Sequence, residues 1–108
     1  MKKFMVLYMA PASAEAQMKV NPEEMKKAME PWIAWFKKCG KAIVDGGTPL
    51  RNGINITKKG STKSKTEVTG YSILQAEDIN SVKAMLTDNP HLMTPKANIE
   101  VLEMMPMM

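Results

Sequence analysis

An α+β domain, with an antiparallel sheet covered on one face by two helices, is predicted by three features of the chain. Residues 22–39 and 79–86 repeat apolar side chains every three or four positions, the period of a helix. Residues 4–9, 41–45, 70–76 and 98–104 read as strands, rich in apolar or β-branched residues and bounded by turn signals. The third feature is size: 108 residues support one core, so residues 1–108 form a single domain without metal or disulfide staples.

The opening, MKKFMVLYMAPASAEAQ, imitates a secretory signal, with two lysines, an apolar run from Phe4 to Ala10 and a cleavage-like Ala12-Ser13-Ala14. The run is short for that role and suits a strand covered on both faces. Phe4, Val6 and Tyr8 point one way and Met5, Leu7 and Met9 the other. Asn21-Pro22-Glu23-Glu24 marks a helix start: Asn21 accepts from an orphan amide, Pro22 suits the first helical position and Glu24 completes a capping-box-like spacing. Met25, Ala28, Met29, Trp32, Phe36 and Cys39 form the buried stripe, and Gly40 is the C-cap. Pro31, inside the pattern, predicts a kink over residues 27–31.

Lys41 to Asp45 reads as a short strand ending at Gly46-Gly47-Thr48-Pro49, and Ile54 to Thr57 as a half-exposed strand whose hairpin partner is Thr66 to Val68. Gly70 to Ala76 is the next core strand. Asp78 caps a short helix carrying Ile79, Val82, Met85 and Leu86, which Asn89-Pro90 ends. Asn98 to Met104 closes the sheet with Ile99 and Val101 on one side. The order is strand, helix, strand, inserted hairpin, strand, helix, strand, a ferredoxin-like split β-α-β plan. Two helices cover one sheet face. The bare face is apolar, which predicts a homodimer packing sheet on sheet about a two-fold axis.

Several function classes are disfavoured. Net charge is +4, yet fourteen of fifteen basic residues are lysines, leaving Arg51 alone for bidentate recognition, so no nucleic-acid partner is expected. The run Lys58 to Lys65 carries four lysines among turn formers and no aromatic, as a solvated hairpin tip does. No stretch is long enough to span a membrane. The lone Cys39 predicts helix packing and a reducing, cytoplasmic compartment. One histidine and one cysteine make no metal set, and nothing calls for a cofactor. The twelve methionines, four of them around Pro106 in the last five positions, read as adaptable packing and a frayed tail.

Taken together, the opening KKFMVLYMAP, the NPEEM helix start, W-x-x-W-F…G followed by IVDGGTPL, GYSILQAED and NPHL…IEVLE resemble the YCII-related family over nearly the whole chain. The resemblance implies a ferredoxin-like fold paired into a dimeric α/β barrel. That family includes ring-dehalogenating lyases and domains attached to sigma factors, and a histidine on its first helix with an aspartate is its proposed reactive pair. Here the first helix has no histidine, and Asn89 stands where many relatives carry the first histidine of H-P-H-L.

The remaining chemistry rests on few residues. His91 is the only histidine, hence the natural general base, though a histidine after Asn-Pro equally serves as a loop residue bonded to backbone. Asp45 either orients a substrate or caps its Gly-Gly turn. Tyr8, Asp45 and His91 share one end of the sheet, but strand order sets Asp45 and His91 about 14 Å apart unless loops or a second subunit bring them together. Trp32 and Trp35 are about 300° apart around the helix, so Trp32, central to the stripe, is assigned to the core, while Trp35 beside it either joins the core or lines a cavity edge or a subunit contact. Tyr8, Trp32, Trp35 and Thr48 are therefore the ligand-binding candidates, and His91 and Asp45 the catalytic ones. Two functions stand side by side. One is a small apolar or aromatic ligand in a helix–sheet cavity, with cofactor-free lyase or isomerase-like proton transfer; the other is a non-catalytic binding or interaction module.

Overall fold

A computed structural model describes residues 1–11 and 22–106 of the chain. The Asn21 cap, the Ala12–Ala14 segment, Met107–Met108 and the side chains of Glu24 and Met25 lie outside the described part. In chain order the elements are β1 (Lys2–Met9), α1 (Pro22–Cys39), β2 (Ile43–Asp45), β3 (Ile54–Thr57), β4 (Gly60–Lys63), β5 (Val68–Ala76), α2 (Ile79–Leu86) and β6 (Asn98–Met104). Short 3-10 turns at Gly40–Ala42 and Pro90–Met93 follow the two helices.

The main sheet runs β2-β5-β1-β6 with antiparallel neighbours throughout, the strand order of a ferredoxin-like fold. The apolar opening stretch is thus a central strand. Its alternation sets the two faces: Phe4, Val6 and Tyr8 are buried and stand opposite Leu74, Ser72 and Gly70 of β5. On the other flank Val6 meets Val101 and Tyr8 meets Ile99. Trp35, Val82 and Leu86 close this face from the helices. Met5, Leu7, Met9, Tyr71 and Ile73 turn the other way, together with the exposed Leu102 and Met104. Neither helix covers that side.

The helices form where their signals place them. α1 continues through Pro31, and Gly40 then takes a left-handed φ of 54°, a conformation glycine adopts without steric cost. At α2 the Asp78 carboxylate accepts from the Ser81 amide at 2.9 Å and from its hydroxyl at 3.0 Å. Both bonds favour the charged form and hold Asp78 below the usual carboxylate value. An ion pair between Lys38 and Asp88 ties the end of α1 to the turn after α2.

Three expectations are corrected. The hairpin partner of β3 is Gly60–Lys63 rather than Thr66 to Val68, because Lys58-Lys59 turns the chain at once, and residue 68 belongs to β5. The apolar stripe of α1 is shorter than its spacing predicts: Ala28 and Met29 are exposed, and the part packed against the core begins at Trp32. The two tryptophans rank in burial opposite to their places on the stripe. Trp35 is 3% exposed and at the centre of the core, while Trp32 is only half-buried at its margin. The cause is long-range: Trp35 Nε1 donates to the Met85 carbonyl of α2 at 2.9 Å, which rolls α1 toward that side.

Candidate functional site

A polar and aromatic cluster sits where the end of β1, the middle of α1 and the second 3-10 turn converge. Tyr8 lies at its centre. Alternation along β1 turns its ring toward the helices, and Trp32 meets it edge-on at 5.1 Å between centroids, with the His91 ring at 5.3 Å on another side. Trp35 stands behind Trp32 at 6.1 Å. The β1–β5 register slips between Tyr8 and Met9, and the Thr69 hydroxyl donates to the Tyr8 carbonyl at 3.1 Å within this irregularity.

The phenol begins a chain of hydrogen bonds. Tyr8 Oη donates to Ser72 Oγ at 2.8 Å, and Ser72 Oγ donates in turn to the Gly46 carbonyl at 2.8 Å. Burial pushes the Tyr8 phenol above its ordinary value of 10.0, against an opposing pull from Ser72 and Asn89. Because the folded-state value is raised, the folded protein keeps a proton that the unfolded chain releases above pH 10. The associated stability is complete below that pH and is lost as pH rises through the folded value. Urea midpoints measured from about pH 9 to 12 are expected to fall more steeply for the wild type than for Tyr8→Phe. At neutral pH that substitution lowers stability by about 1 kcal/mol through the lost hydroxyl bond. Parallel profiles would disprove the assignment.

His91 is held from two directions. Its ring Nε2 is 2.8 Å from the Met9 carbonyl, and since a carbonyl only accepts, Nε2 donates this bond and Nδ1 is the acceptor whenever the ring is neutral. Its amide donates to Asn89 Oδ1 at 2.9 Å, the cap of the 3-10 turn. Asn89 is 1% exposed, and its Nδ2 has no hydrogen-bond partner among the described residues. Neither Asn89 nor Ser72 was among the site candidates read from the sequence, although Asn89 was noted in the place of the first histidine of H-P-H-L. For Ser72 a signal existed, a lone hydroxyl at an inward position of a core strand. For Asn89 the only signal was its place before Pro-His.

The other candidates lie apart. Asp45 is exposed at the sheet edge, where Oδ1 accepts from the Gly47 amide at 2.8 Å and Oδ2 lies 3.5 Å from the Tyr71 hydroxyl on the uncovered side. It caps its turn and makes no hydrogen bond to His91. Thr48, also exposed, follows in the same turn. The link from that turn to Tyr8 runs instead through the Gly46 carbonyl and Ser72. Cys39 is half-buried against the core, and burial pushes its thiol up, which suits packing and not nucleophilic attack.

Trp35, Phe36 and Trp32 pack into the space between α1 and the sheet. An open apolar groove of about 340 Å³ lies under α2 instead, lined by Ile79, Leu86, Leu92, Ile99 and Val101 with Lys83 and Thr87 at its rim. Leu92 belongs to the same 3-10 turn as His91, so this turn borders both the groove and the aromatic cluster. Among the described residues no group of three histidine, cysteine or carboxylate side chains could hold a metal ion, and no helix is long and apolar enough to cross a membrane.

No protein-family model and no curated protein matches the sequence. Among solved structures the chain is similar to the 5-chloro-2-hydroxyhydroquinone dehydrochlorinase of Burkholderia phenoliruptrix, determined as a complex with 2,5-dihydroxybenzoquinone. The identity is 16%, 93% of this chain and 91% of that chain are covered, and the TM-score is 0.48.

Proposed function

We propose that the chain is a YCII-related-like protein that pairs sheet on sheet into a dimeric α/β barrel and binds a small apolar or aromatic molecule between α2 and β6. His91 is its proton-transfer group, and no cofactor takes part. The observation that carries this reading is the 3-10 turn Pro90–Met93, which forms a wall of the apolar groove through Leu92 while holding His91 with Nε2 committed to Met9. A histidine fixed in one tautomer keeps a defined acceptor nitrogen, as a general base requires. The aromatic Tyr8 and Trp32 beside it fit a flat ligand. The dimer follows from the uncovered face bearing Met5, Leu7, Ile73, Leu102 and Met104, too apolar a surface to remain in water.

One observation favours a second reading, a binding module without catalysis: the Asp45 carboxylate serves its own turn and leaves His91 without an acidic partner. Chlorohydroquinone, an aromatic with ionisable hydroxyls, tests both. Quenching of tryptophan fluorescence that is abolished by Val101→Trp, which fills the groove, supports the shared binding site. Chloride release reduced about 100-fold in His91→Asn supports catalysis. Binding without chloride release selects the module, and no binding at all rejects the site.

A further inference from the structure

The β3–β4 hairpin stands outside the sheet whose strands surround it in sequence. It forms a two-stranded sheet of its own, all eight of its strand residues are exposed, and its ladder bonds join only β3 to β4. A lone two-stranded hairpin is marginal in water. This one also carries Ile54 and Ile56, two positions apart and therefore on one side, 65% and 71% exposed. The radius of gyration, 15.3 Å, exceeds the roughly 13 Å of a compact domain of this length, in keeping with a projecting element.

Charge separates the hairpin from the rest of the chain. Residues 51–65 hold Arg51, Lys58, Lys59, Lys63 and Lys65 and none of the eleven acidic residues, so a chain of net charge +4 is one charge negative elsewhere. We propose that the hairpin is an arm that closes on a second copy of the chain, laying Ile54 and Ile56 on the uncovered face of that copy's sheet. That face offers apolar cover in Leu102, 55% exposed, and Met104. It also offers Glu100, opposite Leu7 and exposed on the same side. In the hairpin Lys63 stands opposite Ile54, so one side presents isoleucines beside an ammonium and the other receives them beside a carboxylate. A nucleic acid is the poorer occupant, since the hairpin has no aromatic to stack a base and its isoleucines would stay wet.

The arm rests on the sheet-face dimer proposed above, and sedimentation equilibrium of the full chain separates the two. The wild type is expected to be a dimer. Ile54→Ser with Ile56→Ser weakens it about tenfold for each isoleucine. Lys63→Glu and Glu100→Lys each weaken it, and their combination restores it. A monomeric wild type overturns both proposals. A dimer that Leu102→Asp disrupts but the hairpin substitutions leave unchanged keeps the sheet-face dimer and overturns the arm. Overturned with it is any case where phosphatidylglycerol vesicles or a single-stranded oligonucleotide bind through Ile54 and Ile56 while dimerisation is indifferent to them.

Discussion

Gly47→Ala is expected to remove at least about 3 kcal/mol of stability, enough to leave a domain of this size partly or wholly unfolded. A Cβ at this position would lie 1.6 Å from the Tyr71 carbonyl oxygen and 2.6 Å from its carbonyl carbon. Those are backbone atoms of β5, which is bonded to β1 on one side and β2 on the other and has nowhere to retreat. The residue also sits at a φ of 77°, which adds strain for any side chain. Gly46→Ala is the internal control. Its Cβ would meet the Phe36 ring at 3.5 Å, an ordinary contact, so its effect should stay within about 1 kcal/mol. Urea unfolding of both variants with unchanged m-values checks the contrast, and equal losses would refute it.

Trp35→Ala is expected to lower stability by about 3–5 kcal/mol. The side chain fills the middle of the core and bonds α1 to α2 through Met85, so truncation opens a cavity and removes the donor that joins the two helices. Trp32→Ala should cost distinctly less, because that residue is only partly buried at the core's margin. Trp32 serves instead as a wall for Tyr8 and His91. Its truncation is therefore expected to weaken aromatic ligand binding more than it weakens the fold. Denaturant midpoints and ligand titrations on the same two variants check this, and a reversed order would restore Trp32 to the core.

What could be read from the chain alone follows a physical division. Alternation in residues 4–9, the Asp78 cap and the turn at Gly46-Gly47 are local signals, and the elements they mark formed as expected. The strand order followed from those elements because antiparallel connections allow few alternatives. The roll of α1 about its axis was not legible. A helical wheel ranks Trp32 above Trp35, but the deciding partner is a carbonyl on α2, fifty residues away. The same limit hid the site. Tyr8 and His91 were identified by type, whereas the Ser72 relay and the buried Asn89 depend on register between β1 and β5 and on how the 3-10 turn packs. Of the two roles open to Asp45 in the sequence, the turn cap is the one seen, and no hydrogen bond brings its carboxylate to His91.

The position of β1 in the sheet also bears on how the molecule is assembled in time. This strand leaves the ribosome before either neighbour exists, and each of its flanks waits for remote chain: Lys3 pairs with Gln75 on one side and Met104 on the other. Closing such distant loops is slow. A nascent chain therefore carries an apolar, unpaired ribbon until β5 and β6 have been made, a stage at which chaperone capture or self-association competes with folding.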